Sequence, residues 1–168
     1  MLGPRKPPPP TEFDLRVFET YVPDDHHLRK AAMVINWDAF HDQLAPFYDD
    51  RLGQPSEPPV LMLQLEYLRY HYNLSDAQVI QRCQTDMAFR MFLRVSYHDQ
   101  LPDSSSLCRF RARLKTDGFQ RVFDGVVAQA RQHNLIKERL RLKDATHIIA
   151  DIDVPTTLGL VAQIRDQL

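Results

Sequence analysis

The densest run of chemically capable side chains is Ser104-Ser105-Ser106-Leu107-Cys108-Arg109-Phe110-Arg111-Ala112-Arg113-Leu114-Lys115. Asp103 stands ahead of it as an N-cap, and Leu107, Phe110 and Leu114 recur at i, i+3 and i+7, a spacing that predicts a helix. Arg109, Arg111, Arg113 and Lys115 then spread over the face that the apolar stripe leaves free. Ser104, Ser105 and Ser106 fall in the first turn, where unpaired backbone N–H groups and the helix dipole favour a phosphate. Serine hydroxyls suit contacts to a nucleic-acid backbone, and arginines reach phosphates or guanine edges. This composition fits the recognition helix of a helix-turn-helix, with two short helices before it as support. An amphipathic helix that turns a cationic face to water has the same spacing, and both readings stay open.

The second candidate is Asp144, in Lys143-Asp144-Ala145-Thr146-His147-Ile148-Ile149-Ala150. A carboxylate that opens a hydrophobic strand must be paired or hold a metal once buried. Magnesium-dependent phosphoryl-transfer enzymes use acids on such strands to hold two cations about 4 Å apart. Asp151 does not complete that site within one strand, because at about 3.3 Å per residue it lies roughly 23 Å away on the opposite face. Asp153 is farther still. A capped turn, or a salt bridge to Lys143 or Arg141, is the simpler account of Asp144 taken alone. The seven histidines show no i, i+4 pair around a glutamate and no cysteine partner, so no zinc site is expected. Tyr67, Tyr70, His71 and Tyr72 read as helix packing. No glycine-rich phosphate loop or G-x-S-x-G elbow occurs.

The elements that must position these residues read as helices with proline-marked breaks, since the chain has only 5 glycines and 12 prolines. Residues 1–20, with Pro7-Pro8-Pro9-Pro10, read as an extended, disordered leader. Helices are expected around Leu28–Ile35, from Trp37 through Leu44, and after Pro58-Pro59, where Leu61, Leu65, Leu68 and Tyr72 form one stripe. Ser75 and Gln78 have the spacing of a capping box, and Thr85 or Asp86 caps the next helix. Gly118 then separates the basic helix from a second one over Phe119–Asn134. Residues 140–154 are dense in β-branched and aliphatic side chains and read as one or two strands, followed by a terminal helix. The expected class is mainly α: a helical domain over 21–134, then a short β segment and a helix over 135–168.

Charge divides unevenly along the 168 residues. Residues 1–89 hold 8 Lys/Arg against 13 Asp/Glu, residues 90–143 hold 12 against 5, and residues 144–168 hold 1 against 4. A net charge of −1 thus conceals a basic middle, which points to a polyanion partner. Two cysteines, Cys83 and Cys108, suggest a reducing compartment. No run reaches the roughly 20 apolar residues that cross a bilayer. The expectation is a cytoplasmic protein with no membrane partner.

Several short motifs occur in an order that resembles the DDE-type transposases of bacterial insertion sequences, specifically their InsH-like amino-terminal domain. They are Val22-Pro23-Asp24-Asp25-His26-His27-Leu28-Arg29, then Ile35-Asn36-Trp37, Gly53-Gln54-Pro55 and Asn73-Leu74-Ser75-Asp76. Ala88-Phe89-Arg90-Met91-Phe92-Leu93 follows, with Pro102-Asp103-Ser104-Ser105-Ser106-Leu107 leading into Arg109-Phe110-Arg111, and finally Asp144-Ala145-Thr146. The resemblance implies a DNA-binding domain for residues 21–134 and the start of a ribonuclease-H-like catalytic domain for 135–168. It makes Asp144 the first catalytic aspartate and a ligand of Mg²⁺, and double-stranded transposon ends with terminal inverted repeats the partner, in the bacterial nucleoid. The chain has Gly53-Gln54-Pro55 where the family usually has Gly-Arg-Pro, and Ser105-Ser106-Leu107 where it has Ser-Thr-Leu. The family also needs a second aspartate and a glutamate far downstream, so this chain alone is not expected to cut DNA. A helical interaction module or regulatory remnant, pairing with itself or with full-length transposase, is the alternative. The acidic first 89 residues and the open edge of an unfinished β unit motivate it.

Overall fold

The computed structural model describes residues 1–5, 7–49 and 55–134. Seven α-helices succeed one another there: α1 (Glu12–Tyr21), α2 (His27–Val34), α3 (Ala39–Leu44), α4 (Pro59–His71), α5 (Asp76–Thr85), α6 (Met87–Leu93) and α7 (Ser104–Gln132). No strand occurs among the described residues. The expected β segment, terminal helix and Asp144 lie outside them.

Local chemistry sets most of these boundaries. Ser75 accepts from the Gln78 amide while the Gln78 side chain accepts from the Ser75 amide, the reciprocal box that starts α5. Asp86 accepts from the Ala88 and Phe89 amides and starts α6. Pro59 opens α4, where a missing N–H costs nothing.

Residues 1–20 depart from the expected disordered leader. The chain beyond the prolines forms α1, because Thr11 and Asp14 make a second capping box. The Leu2 amide donates to the Asp49 carbonyl, and Gly3 donates to Ser56 Oγ, so the amino-terminal residues are tied to the loop before α4. The Arg29 guanidinium donates to the Phe18, Val22 and Pro23 carbonyls, closing the end of α1 from α2.

α4 is apolar on nearly every side and is buried from Pro59 through Glu66, as befits a central helix. Around it pack α3, α5, α6 and α7, while α1 and α2 lean on α6. Phe40, Leu65, Leu68, Val79, Phe89, Phe92, Leu107, Phe110 and Leu114 are fully enclosed. Farther along α7, Val122 is buried and Phe123 half-buried. The sequence reading placed a helix break at Gly118. In the structure the helix path runs on to Gln132, and the break falls at Lys115, whose φ of 50° and ψ of −160° are not helical. Gly118 itself is buried, and a Cβ there would come within 2.7 Å of the Leu114 Cβ. Its small size serves close packing instead of a turn.

Candidate nucleic-acid interface

The first turn of α7 is occupied by the protein's own carboxylate. Asp103 accepts from the Ser106 amide at 3.0 Å, from the Ser105 hydroxyl at 2.5 Å and from Arg109 at 3.4 Å. The Ser105 hydroxyl bond, with the Ser106 amide, holds this carboxyl below its usual range. Ser104 and Ser106 are half-buried, and Arg109, exposed, also donates to Ser106 Oγ at 2.9 Å.

The four alternating cations part ways. Arg111, read in sequence as a DNA contact, is turned against α4 and α5. Its guanidinium donates to Glu66 at 2.6 Å and to both oxygens of Asp76 at 2.6 and 3.0 Å. Arg69 also reaches Glu66 at 2.8 Å, so two cations and two carboxylates interlock. The Asp76 bond raises the Arg111 pKa and correspondingly lowers that of Asp76. Glu66 has a side chain only 8% exposed, and a carboxylate so placed requires such partners.

Arg113 lies over the Tyr48 ring, 4.4 Å from its centroid, and Arg121 over the Phe47 ring at 5.2 Å. Both arginines are exposed, whereas Tyr48 is buried, and that burial pushes its phenol above the usual range. Lys115 is exposed at the backbone break. Arg109, Arg113 and Lys115 thus remain on the solvent side, and Arg111 does not.

Three positioning groups escaped the sequence reading. Buried Arg90 donates to the carbonyls of Cys83, Ser96 and Asp99, lashing the end of α5 to the loop that leads into α7. Buried Asp14 accepts from Thr11 and Tyr97, joining α1 to that loop. The Asn36 amide donates to Gln129 Oε1 at 2.7 Å while Gln129 Nε2 donates to the Asn36 carbonyl, fixing the far end of α7. A charge inside an apolar run, such as Glu66 in α4 or Arg90 in α6, was the available signal. Tyr67 and His71 stack on each other, and Tyr67 stacks on Phe92, so these rings belong largely to packing.

No three His, Cys, Asp or Glu side chains are arranged to hold a metal ion among the described residues. No described helix is long and apolar enough to cross a membrane.

Residues 16–113 match the family described as Transposase domain (DUF772). The chain belongs to that family. The matched stretch of this transposase domain runs from α1 into the basic arm of α7 and takes in Arg109, Arg111 and Arg113. The "Uncharacterized protein ORF8 in nfe locus" of Rhizobium meliloti is 28% identical over 107 residues, which cover 62% of this chain and 51% of the relative. The chain therefore spans about half the length of that curated relative. No solved structure matches.

Proposed function

We propose that this transposase domain is the DNA-binding part of a DDE-type insertion-sequence transposase and recognises the terminal inverted repeats of its element. The observation that carries this reading is the arm of α7 from Ser104 to Leu114. It is braced from behind by Arg111 and leaves Arg109 and Arg113, with adjoining Lys115, exposed. α5 and α6 would act as the supporting helices of a helix-turn-helix-like unit. Phosphate contacts from the exposed cations would set register, and Arg109, nearest the helix start, would read a base edge on leaving Asp103. In the whole protein, Asp144 would be one carboxylate of a ribonuclease-H-like site for Mg²⁺, an ion that stabilises charge on a phosphodiester. Asp144 lies outside the described residues.

An electrophoretic shift with inverted-repeat duplex against a scrambled duplex tests recognition. Tighter binding to the repeat is expected. Equal affinity would discard end recognition, and no shift at low salt would discard DNA binding altogether.

The second reading, a module that pairs with itself or with full-length transposase, draws on α1, where Phe13 is 71% and Tyr21 66% exposed. Large apolar side chains so exposed suit a protein partner. Light scattering on the purified chain separates the two readings: an oligomer indifferent to DNA supports this one.

A further inference from the structure

α7 continues beyond the arm assigned to DNA, and two of its arginines converge on one short segment. Arg113 comes from the first arm and Arg121 from the second, on opposite sides of the break at Lys115. They meet the rings of the consecutive residues Tyr48 and Phe47, at the end of the 3₁₀ turn Ala45–Phe47. The two rings belong to one short segment, so the two arms of α7 each lay an arginine on it.

We propose that Arg113 and Arg121, each laid on an aromatic ring, form a paired contact for the phosphate backbone of duplex DNA. The inference rests on the DNA-binding reading and adds Arg121, Phe47 and Tyr48 to it.

The chemistry follows from how each guanidinium is used. A ring beneath engages the face of the cation, and although Arg113 also lies against the Tyr48 hydroxyl, both arginines keep N–H groups turned to solvent. The guanidinium edge is a planar fork suited to two phosphate oxygens, and stacking lowers the entropy lost on binding. Arg109 and Arg111 instead spend N–H groups on Asp103, Glu66 and Asp76. Among the described residues no carboxylate pairs with Arg113 or Arg121. Asp117 stands four residues from each and takes neither, and Asp124 accepts from Gln120. Two exposed cations without a protein counter-charge attract an anion, and a repeating phosphate backbone supplies anions at close spacing. An acidic surface on a second copy is the competing occupant. The carboxylates of α1 to α3 are already partly engaged, Glu12 by Arg16, Asp14 by Thr11 and Asp42 by Arg5, which makes the repeating phosphate the better match.

The test measures affinity for a duplex of mixed sequence by fluorescence anisotropy over a range of salt. Parent, Arg113→Ala, Arg121→Ala, the double variant and Arg16→Ala as a distant control are compared, with circular dichroism to verify folding. Each alanine is expected to weaken binding roughly tenfold near 0.1 M salt and to reduce the salt slope by about one. The double lysine variant keeps charge but loses the planar fork, so it should keep the slope and bind several-fold more weakly. A parent that binds no duplex at low salt overturns the DNA-binding reading together with this inference. A parent that binds while the folded double alanine variant keeps its affinity and slope overturns this inference alone. A double variant that changes the mass seen in light scattering but not the affinity assigns the pair to self-association and also overturns it.

Discussion

Asp14 is a carboxylate 1% exposed, and its state is set by opposing effects. Burial raises its pKa, but hydrogen bonds from Thr11 and Ser96 and from the Thr11 and Tyr97 amides outweigh it and bring the value down to about 2. A folded pKa below the unfolded one means that the stabilisation is fully present above pH 4, and fades as pH falls through about 2. It should amount to roughly 2 kcal/mol at neutral pH. Thermal melts from pH 7 to 2 should show a drop below pH 4 that is smaller in Asp14→Asn, already weakened at pH 7, because Asp76 still titrates in both proteins; parallel curves would contradict this. Arg90 is the cationic counterpart. Arg90→Lys should cost roughly 1–3 kcal/mol, because an ammonium cannot serve the same spread of carbonyls. A denaturant midpoint equal to the parent's would refute that role. Single residues were the hardest level to read from sequence. The alternation at 109, 111, 113 and 115 places all four cations on the non-core side, yet that side includes the flank facing Glu66 and Asp76. A partner 45 residues away in sequence leaves no local trace at Arg111.

Helices were more legible, because caps and stripes are local. Ser75 with Gln78, Asp86, Pro59 and Asp103 start α5, α6, α4 and α7 as their types predict. α1 was missed although Thr11 and Asp14 have box spacing, because the prolines before them suggested an extended tail. The break in α7 was assigned to glycine on propensity, whereas packing against Leu114 takes that glycine and leaves the strain on Lys115. Lys115→Gly should therefore stabilise the protein by about 1 kcal/mol, the relief of a positive φ exceeding the entropy glycine adds to the unfolded chain. A lower melting temperature for that variant would show that the break is not strained. Phe110, 1% exposed, should cost roughly 3–5 kcal/mol when cut to alanine, and an unchanged melt would rotate the arm. Arg111→Ala leaves Glu66 with Arg69 as its remaining cation and should cost roughly 1–3 kcal/mol. Exchanging charges, Arg111→Asp with Asp76→Arg, should recover part of that stability, whereas a double variant no better than the sum of the singles would deny the pairing.

Across the whole molecule, the uneven division of charge predicts behaviour that the net value of −1 hides. Binding to duplex DNA should weaken steeply between low and physiological salt, since each neutralised phosphate releases a counterion. An affinity unchanged over that range would move the contact away from the basic arm.

The reciprocal bonds between Asn36 and Gln129 close a loop of 93 residues. That separation concerns time as well as shape. Contacts so distant along the chain make folding slow, because loop entropy must be lost before the contact is gained. During synthesis, α1 to α6 emerge before the helix that supplies Leu107, Phe110 and Leu114 to their shared core. Until α7 arrives, the apolar seam it will cover stands open to other nascent chains, and a product cut short before Ser104 would keep that seam for life.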